Sequence, residues 1–185
     1  MNRAWMVLGA VLLGVVLLGI PAYNGLVQRN EAVDESWAQV ETVLQRRYDL
    51  IPNLVNTVKG YATHERELLA EITRLRSQWG ASQGVEDKVA AASNLEGALG
   101  RLMVVLERYP DLKANQNFLA LQDELAGTEN RISVERRRYN ETVREYNVAV
   151  QRFPSNMIAG LTGFAKRDVY FEATKGAAEA PKVEF

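Results

Sequence analysis

Two hydrophobic patterns divide the chain. From Ala4 to Ala22 (AWMVLGAVLLGVVLLGIPA) there is no charged residue. A core helix normally keeps a polar stripe, and this segment has none. As a helix from Trp5 to Tyr23 it would cover about 27 Å, close to the ~30 Å hydrocarbon core of a bilayer. From Leu26 onward apolar residues recur alternately four and three apart: Leu26, Val33, Trp37, Val40, Leu44, Ile51, Leu54, Val58, Tyr61, Leu68, Ile72, Leu75 and Trp79. Only Asn30, Arg47 and Glu65 interrupt the frame. A 3.5-residue period held that far is the seam of a bundle or coiled coil.

The elements follow from this frame and its breakers. Pro52 removes one helical hydrogen bond and crowds the carbonyl of Tyr48, so a kink or break is expected near 48–52. The frame stays in phase on both sides. That favours one kinked helix over residues 23–79, roughly 80 Å long beyond the anchor, over two helices joined by a turn. Gly80–Gly84 reads as a connection, followed by a helix over 85–108 with Val85, Val89, Ala92, Leu99, Met103 and Leu106 on one face. Tyr109-Pro110-Asp111 ends it. A third helix is predicted over 115–152, with Leu119, Ala126, Ile132, Tyr139, Val143, Tyr146 and Val150 on its seam, closed by Phe153-Pro154-Ser155. The expected fold is therefore all-α: an N-terminal transmembrane helix over 1–22, an antiparallel bundle of long helices over 23–164, and a partly irregular tail over 165–185.

Trp5 and Tyr23 mark the two membrane boundaries, since amphipathic rings favour the headgroup level. The rival reading, a cleaved signal peptide, would put Ile20 where a small residue is wanted and Pro21 beside the cut. Arg3 on one side and Arg29 on the other are the nearby bases, a bias that points to a cytoplasmic amino terminus.

Composition narrows the chemistry. Among 185 residues, 22 Lys+Arg face 23 Asp+Glu, which leaves no basic surplus for nucleic acid. No cysteine and a single histidine exclude disulfides, thiolate metal sites, a Cys nucleophile and any multi-His metal centre. His64-Glu65 lacks the second histidine of a zinc-protease helix, because position 68 is Leu. No catalytic, cofactor-binding or metal-ligating residues are expected. The remaining candidates for interaction or register are Asn30, Arg46, Arg47, Asp49, Pro52, Asn53, Lys59, His64 and Glu65. Of these, Arg47 is expected to pair with a seam acid (Glu65, Glu96 or Glu129) and so fix helix register. Arg131, Arg136, Arg137 and Arg138, interleaved with Glu129, Glu135 and Glu141, read as a solvated face. Tyr139-Asn140 and Tyr146-Asn147 recur seven residues apart, which reads as packing with the Asn side chains satisfied locally.

Several segments in one order resemble the LemA family of bacterial membrane proteins. They are Tyr23-Asn24-Gly25-Leu26-Val27, Arg46-Arg47-Tyr48-Asp49-Leu50-Ile51-Pro52-Asn53-Leu54-Val55, Val58-Lys59-Gly60-Tyr61-Ala62, Tyr109-Pro110-Asp111-Leu112-Lys113-Ala114-Asn115, Thr128-Glu129-Asn130-Arg131-Ile132 and Phe153-Pro154-Ser155-Asn156. The likeness continues to Phe171-Glu172-Ala173 and the final Pro181-Lys182-Val183. It implies a single-pass protein of the bacterial inner membrane with a helical-bundle domain and no established enzymatic activity. It also implies a short amino terminus outside the cell, opposite to the charge bias, so the side of the bundle stays open.

Together these readings lead to a membrane-anchored scaffold or adaptor that self-associates in envelope or membrane organisation. Its expected partners are the lipid bilayer, further copies of itself and another membrane protein. A second reading is a lipid-organising or membrane-remodelling protein. A third, an unrecognised hydrolase, lacks the Glu-x-x-His pairs by which helical bundles usually hold their reactive centres.

Overall fold

A computed structural model describes residues 3–171. Six helices follow in order: α1 (Arg3–Lys59), α2 (Arg66–Ala81), α3 (Val85–Leu106), α4 (Pro110–Lys113), α5 (Gln116–Gln151) and α6 (Ser155–Thr162). Among the described residues there is no strand. The all-α class and the antiparallel bundle hold. The part of the tail over 172–185 lies outside the described residues, and 163–171 follows α6 without regular secondary structure.

Helix α1 runs unbroken through residue 22 and through both Pro21 and Pro52. The single helix expected over 23–79 is instead two, and the break falls at 60–65 rather than at Pro52. At Pro52 the missing N–H frees the carbonyl of Tyr48, and Nε of Arg76 on α2 donates to that carbonyl at 2.9 Å. Ile51 and Leu54, on either side of the proline, are fully buried and anchor this part of the helix in the core. At Gly60 nothing compensates. Glycine weakens the helix by about 1 kcal/mol relative to alanine, and the N–H groups of Tyr61 and Ala62 turn back onto the carbonyl of Val58 at 3.0 and 2.8 Å. The rod beyond Tyr23 is consequently about 54 Å long, not 80 Å.

The cross-helix contacts fix an up-down-up-down order. Tyr48 meets Trp79 edge-on at 4.4 Å, Arg101 pairs with Glu71 at 2.7 Å, and Trp37 meets Tyr139 at 5.7 Å. Each neighbouring pair is therefore antiparallel. At the distal end Asn115 donates to the Tyr61 hydroxyl at 2.9 Å and Arg108 pairs with Glu65 at 3.1 Å, closing the tip. Pro110, expected only to end a helix, starts α4 at its first turn, where a missing N–H costs nothing. Asn115 caps α5 by accepting from the N–H of Phe118 at 3.1 Å.

Buried positions follow the heptad frame along α1: Leu26, Val33, Val40, Leu44, Ile51, Leu54 and Val58. On α5 the frame begins one residue earlier than expected. Phe118, Leu125, Ile132, Tyr139 and Tyr146 form a seven-residue series of buried positions, while Leu119 and Ala126 face solvent. Phe118 fills the core better than Leu119, and the cap at Asn115 sets the rotation of the first turn.

The bundle changes section along its length. Distally, α1, α2, α3 and α5 surround a four-helix core. Around Trp37 and Tyr139 only α1 and α5 remain, covered by residues 163–171, and nearer the amino terminus α6 packs on both of them. Phe171 stacks on Trp37 at 6.1 Å and meets Tyr139 at 5.8 Å, completing an aromatic core that two helices alone would leave open.

Candidate functional site

Three constellations stand out, and the first is a charged layer inside the four-helix section. Arg47 on α1 forms an ion pair with Glu129 on α5. Arg136 on α5 pairs with Glu96 on α3 at 2.8 Å. Tyr48 lies between them, its hydroxyl buried without a hydrogen-bond partner among the described residues. Burial pushes that phenol well above its ordinary range, outweighing the opposing influence of Arg47 and Arg136. Arg136, expected on a solvated face, is turned inward, and its guanidinium lies 4.9 Å over the Phe171 ring. Two acids and two bases joining three helices favour one axial alignment over its slipped alternatives, since a slip would leave part-buried charges unpaired.

The second constellation is a backbone clamp that the sequence signalled without revealing its partner. Asn147 on α5 donates to the carbonyl of Arg167 at 2.7 Å and accepts from the N–H of Arg167 at 2.9 Å. One heptad earlier, Asn140 does the same to Phe171, at 2.8 and 2.9 Å. Each carboxamide thus reads one residue of the 163–171 segment as a neighbouring strand would, with both donor and acceptor used. The repeated Tyr-Asn pairs place each tyrosine in the core and each asparagine beside it. The asparagines' partners lie 31 and 20 residues away rather than locally. Arg167 then reaches across to α1, where Asn30 accepts at 3.0 Å and Asp34 pairs at 3.1 Å.

The remaining sequence candidates separate by direction. Asn30, Arg47 and Glu65 face partners inside the molecule; Glu65 holds Arg108 and accepts from the Tyr109 hydroxyl at 3.0 Å. Desolvation, then this hydrogen bond, raises the Tyr109 phenol above its usual value. Arg46, Asp49, Pro52, Asn53, Lys59 and His64 are exposed, and the structure does not bring them to a common point. The carbonyl freed by Pro52, a potential docking group, is already used by Arg76. Among the described residues no group of three or more His, Asp or Glu side chains is placed to hold a metal ion.

The third constellation is apolar. On α1, Trp5 (70%), Leu8 (60%), Leu13 (58%), Leu17 (64%) and Leu18 (66%) are all exposed. At 100° per residue they point to every side of the helix. Tyr23 is also exposed, its ring against Phe164 at 5.9 Å. Helix α3 is the described helix that meets a length-and-composition standard for crossing a bilayer. However, its Ala92, Leu95, Ala98, Leu99, Leu102 and Leu106 are buried against the other helices, as befits a core helix.

Comparison with known proteins follows the same outline. The chain is 28% identical over 185 residues to Magnetosome protein MamQ 2 of Paramagnetospirillum magneticum, covering 86% of this chain and 67% of the relative. It is 26% identical to Magnetosome protein MamQ of Magnetospirillum gryphiswaldense, covering 83% and 66%. With Protein LemA of Metamycoplasma hominis it shares 27% identity, covering 87% and 72%. The magnetosome relatives are thus longer than the region they share with this chain. The sequence model of the LemA family matches residues 36–185, which takes in α2 to α6 and most of α1 beyond Tyr23. The chain belongs to the LemA family.

Proposed function

We propose that the first helix crosses the bacterial inner membrane and carries the bundle as a rigid rod. In this reading the protein is a non-enzymatic scaffold or adaptor that self-associates and contacts another membrane protein. The observation that carries this reading is the uncovered apolar surface of α1 ahead of Tyr23, continuous with the bundle and unbroken by any hinge. Each such side chain gains roughly 1.5–3 kcal/mol on leaving water, and no described element is large enough to cover them all. A bilayer is. Because α1 does not end at the boundary, rotation of the membrane segment is passed directly to the rod, which suits a scaffold better than a tethered enzyme.

The interior acids support a structural role. Glu96 and Glu129 are each engaged by an arginine, whereas acid–base chemistry needs a carboxyl free to exchange its proton with a substrate. Of the exposed candidates, Arg46, Asp49 and Asn53 fall within about 60° on one side of α1, and that stripe is the face we assign to a partner protein. A second reading, membrane remodelling, draws its support from relatives named as magnetosome proteins.

The mass of the full chain extracted with its lipids tests the scaffold. A defined oligomer, or a cross-linked complex with one membrane partner, is expected. A monomer that cross-links to nothing in the native membrane would sink it. Vesicles that change size at high protein density would favour the second reading over the first.

A further inference from the structure

Helix α6 is short, but its three sides differ sharply. One side is docked: Ala159 is buried, and Cδ1 of Ile158 lies 3.7 Å from where a Cβ on Gly19 would be. The helix therefore rests against the last turns of the apolar part of α1. At its end Gly163, left-handed at φ 82°, reverses the chain and delivers Phe164 to Tyr23. A second side, with Asn156 and Gly160, is small, polar and exposed. The third side has no cover. Phe153 (just ahead of the helix), Met157 and Leu161 are spaced four apart and exposed at 74%, 60% and 83%.

Single exposed apolar residues are ordinary on a protein surface, but a stripe of them beside a larger uncovered apolar surface is not. Two observations say what covers this one. The first is depth. Gly19 lies about 6 Å from Tyr23 along the helix axis, and interfacial helices bury their apolar faces ~5–10 Å into the boundary between headgroups and acyl chains. The second is charge. Arg152 and Lys166, both exposed, flank α6 at its two ends. Long basic side chains so placed lay their stems along apolar surface and carry their charges to phosphate.

We propose that α6 is an interfacial membrane helix. Its Phe153–Met157–Leu161 face enters the acyl boundary of the bilayer that α1 crosses, and Arg152 and Lys166 meet the headgroup phosphates. The proposal rests on the anchor reading given above. Its consequence is mechanical: a lone spanning helix leaves a rod free to tilt and to rotate about the anchor. A second contact beside it, joined to α5 and packed on α1, fixes both.

The chain contains no cysteine, so single-cysteine variants give unambiguous spin labels. Leu161→Cys, Val7→Cys and Val134→Cys are labelled in the full chain and reconstituted into vesicles of phosphatidylcholine and phosphatidylglycerol. All three sites are exposed, and labels there leave the core untouched. Access to oxygen relative to a water-soluble nickel chelate is then measured at each. The expected result is a ratio at 161 close to that at 7 and several-fold above that at 134. A low ratio at 161 with a high one at 7 overturns the interfacial helix and leaves the anchor standing. Low ratios at both overturn the anchor and the interfacial helix together. A label at 161 shielded from both reagents places a second copy of the chain on that face instead of lipid, which also overturns the proposal.

Discussion

Between Leu26 and Val58, α1 buries one apolar stripe, seven residues apart from Leu26 to Val40 and every third or fourth position from there to Val58, with polar and charged residues on the other faces. Between Trp5 and Ile20 the large apolar side chains that the structure describes on the same helix point to every side and are exposed. Helical geometry is continuous across the two regions, so the difference lies wholly in side-chain pattern. A stripe calls for other helices, because only one face needs covering. A full apolar girdle calls for a solvent that is itself apolar. The short section between these regions, where the segment 163–171 takes the place of two helices, shows a third solution: paired carboxamides and one aromatic ring close a core too thin to close itself.

The comparison can be broken most directly at its apolar end. Leu13→Lys together with Leu17→Lys puts charge near the middle of the proposed span, at about 2.5–3.5 kcal/mol for each lysine at a bilayer centre. The variant is expected to appear in the aqueous fraction while the bundle keeps its helical signal and its melting temperature. Leu54→Ala makes the converse change, in the striped region. It should leave membrane retention intact and lower the stability of the bundle by about 2–5 kcal/mol in chemical denaturation.

A smaller effect separates the clamped section from both. Asn147→Ala removes the two backbone contacts to Arg167 and a further bond to the Tyr170 hydroxyl at 2.8 Å. The expected loss is about 1–3 kcal/mol, read as faster tryptic cleavage at Lys166 and Arg167 with no change in cleavage at the distal tip. The smallest concerns the charged layer. Tyr48→Phe deletes a buried hydroxyl that has no hydrogen-bond partner among the described residues, so stability at neutral pH should change by less than about 1 kcal/mol. Alkaline pH separates the two proteins. Burial holds the Tyr48 proton in the folded state beyond the point, near pH 10.0, where the unfolded chain loses it. The stability associated with this proton is complete below that pH and falls as pH rises past it. The phenylalanine variant should show a shallower alkaline decline.

Much of this architecture was legible in the residues. The heptad frame, a connection ending at Gly84 (though α2 runs on through Ala81, so only residues 82–84 connect) and the Arg47 pairing with a seam acid all depend on local spacing or on a charge that has to be neutralised. The helix continues past Pro52 as its in-phase frame indicated, but what satisfies the freed carbonyl was not legible, because Arg76 comes from another helix 28 residues beyond Tyr48. The real break at Gly60 was masked because the frame happens to resume in phase on α2. The register of early α5 was missed by one residue because Leu119 and Phe118 are both apolar, and only the packed core separates them. Asn140 and Asn147 announced themselves by their seven-residue repeat. Their role was invisible because an extended backbone segment carries no periodic signal, and its residues were read as an irregular tail.

The central claim is that the apolar end of α1 lies in a bilayer and holds the rod there. Washing native membranes that contain the full chain with alkaline carbonate tests it most directly, since the wash strips proteins held by charge or by weak surface contact. The account predicts that the chain stays with the lipid and needs detergent for release. Recovery of the intact chain in the aqueous wash would contradict it.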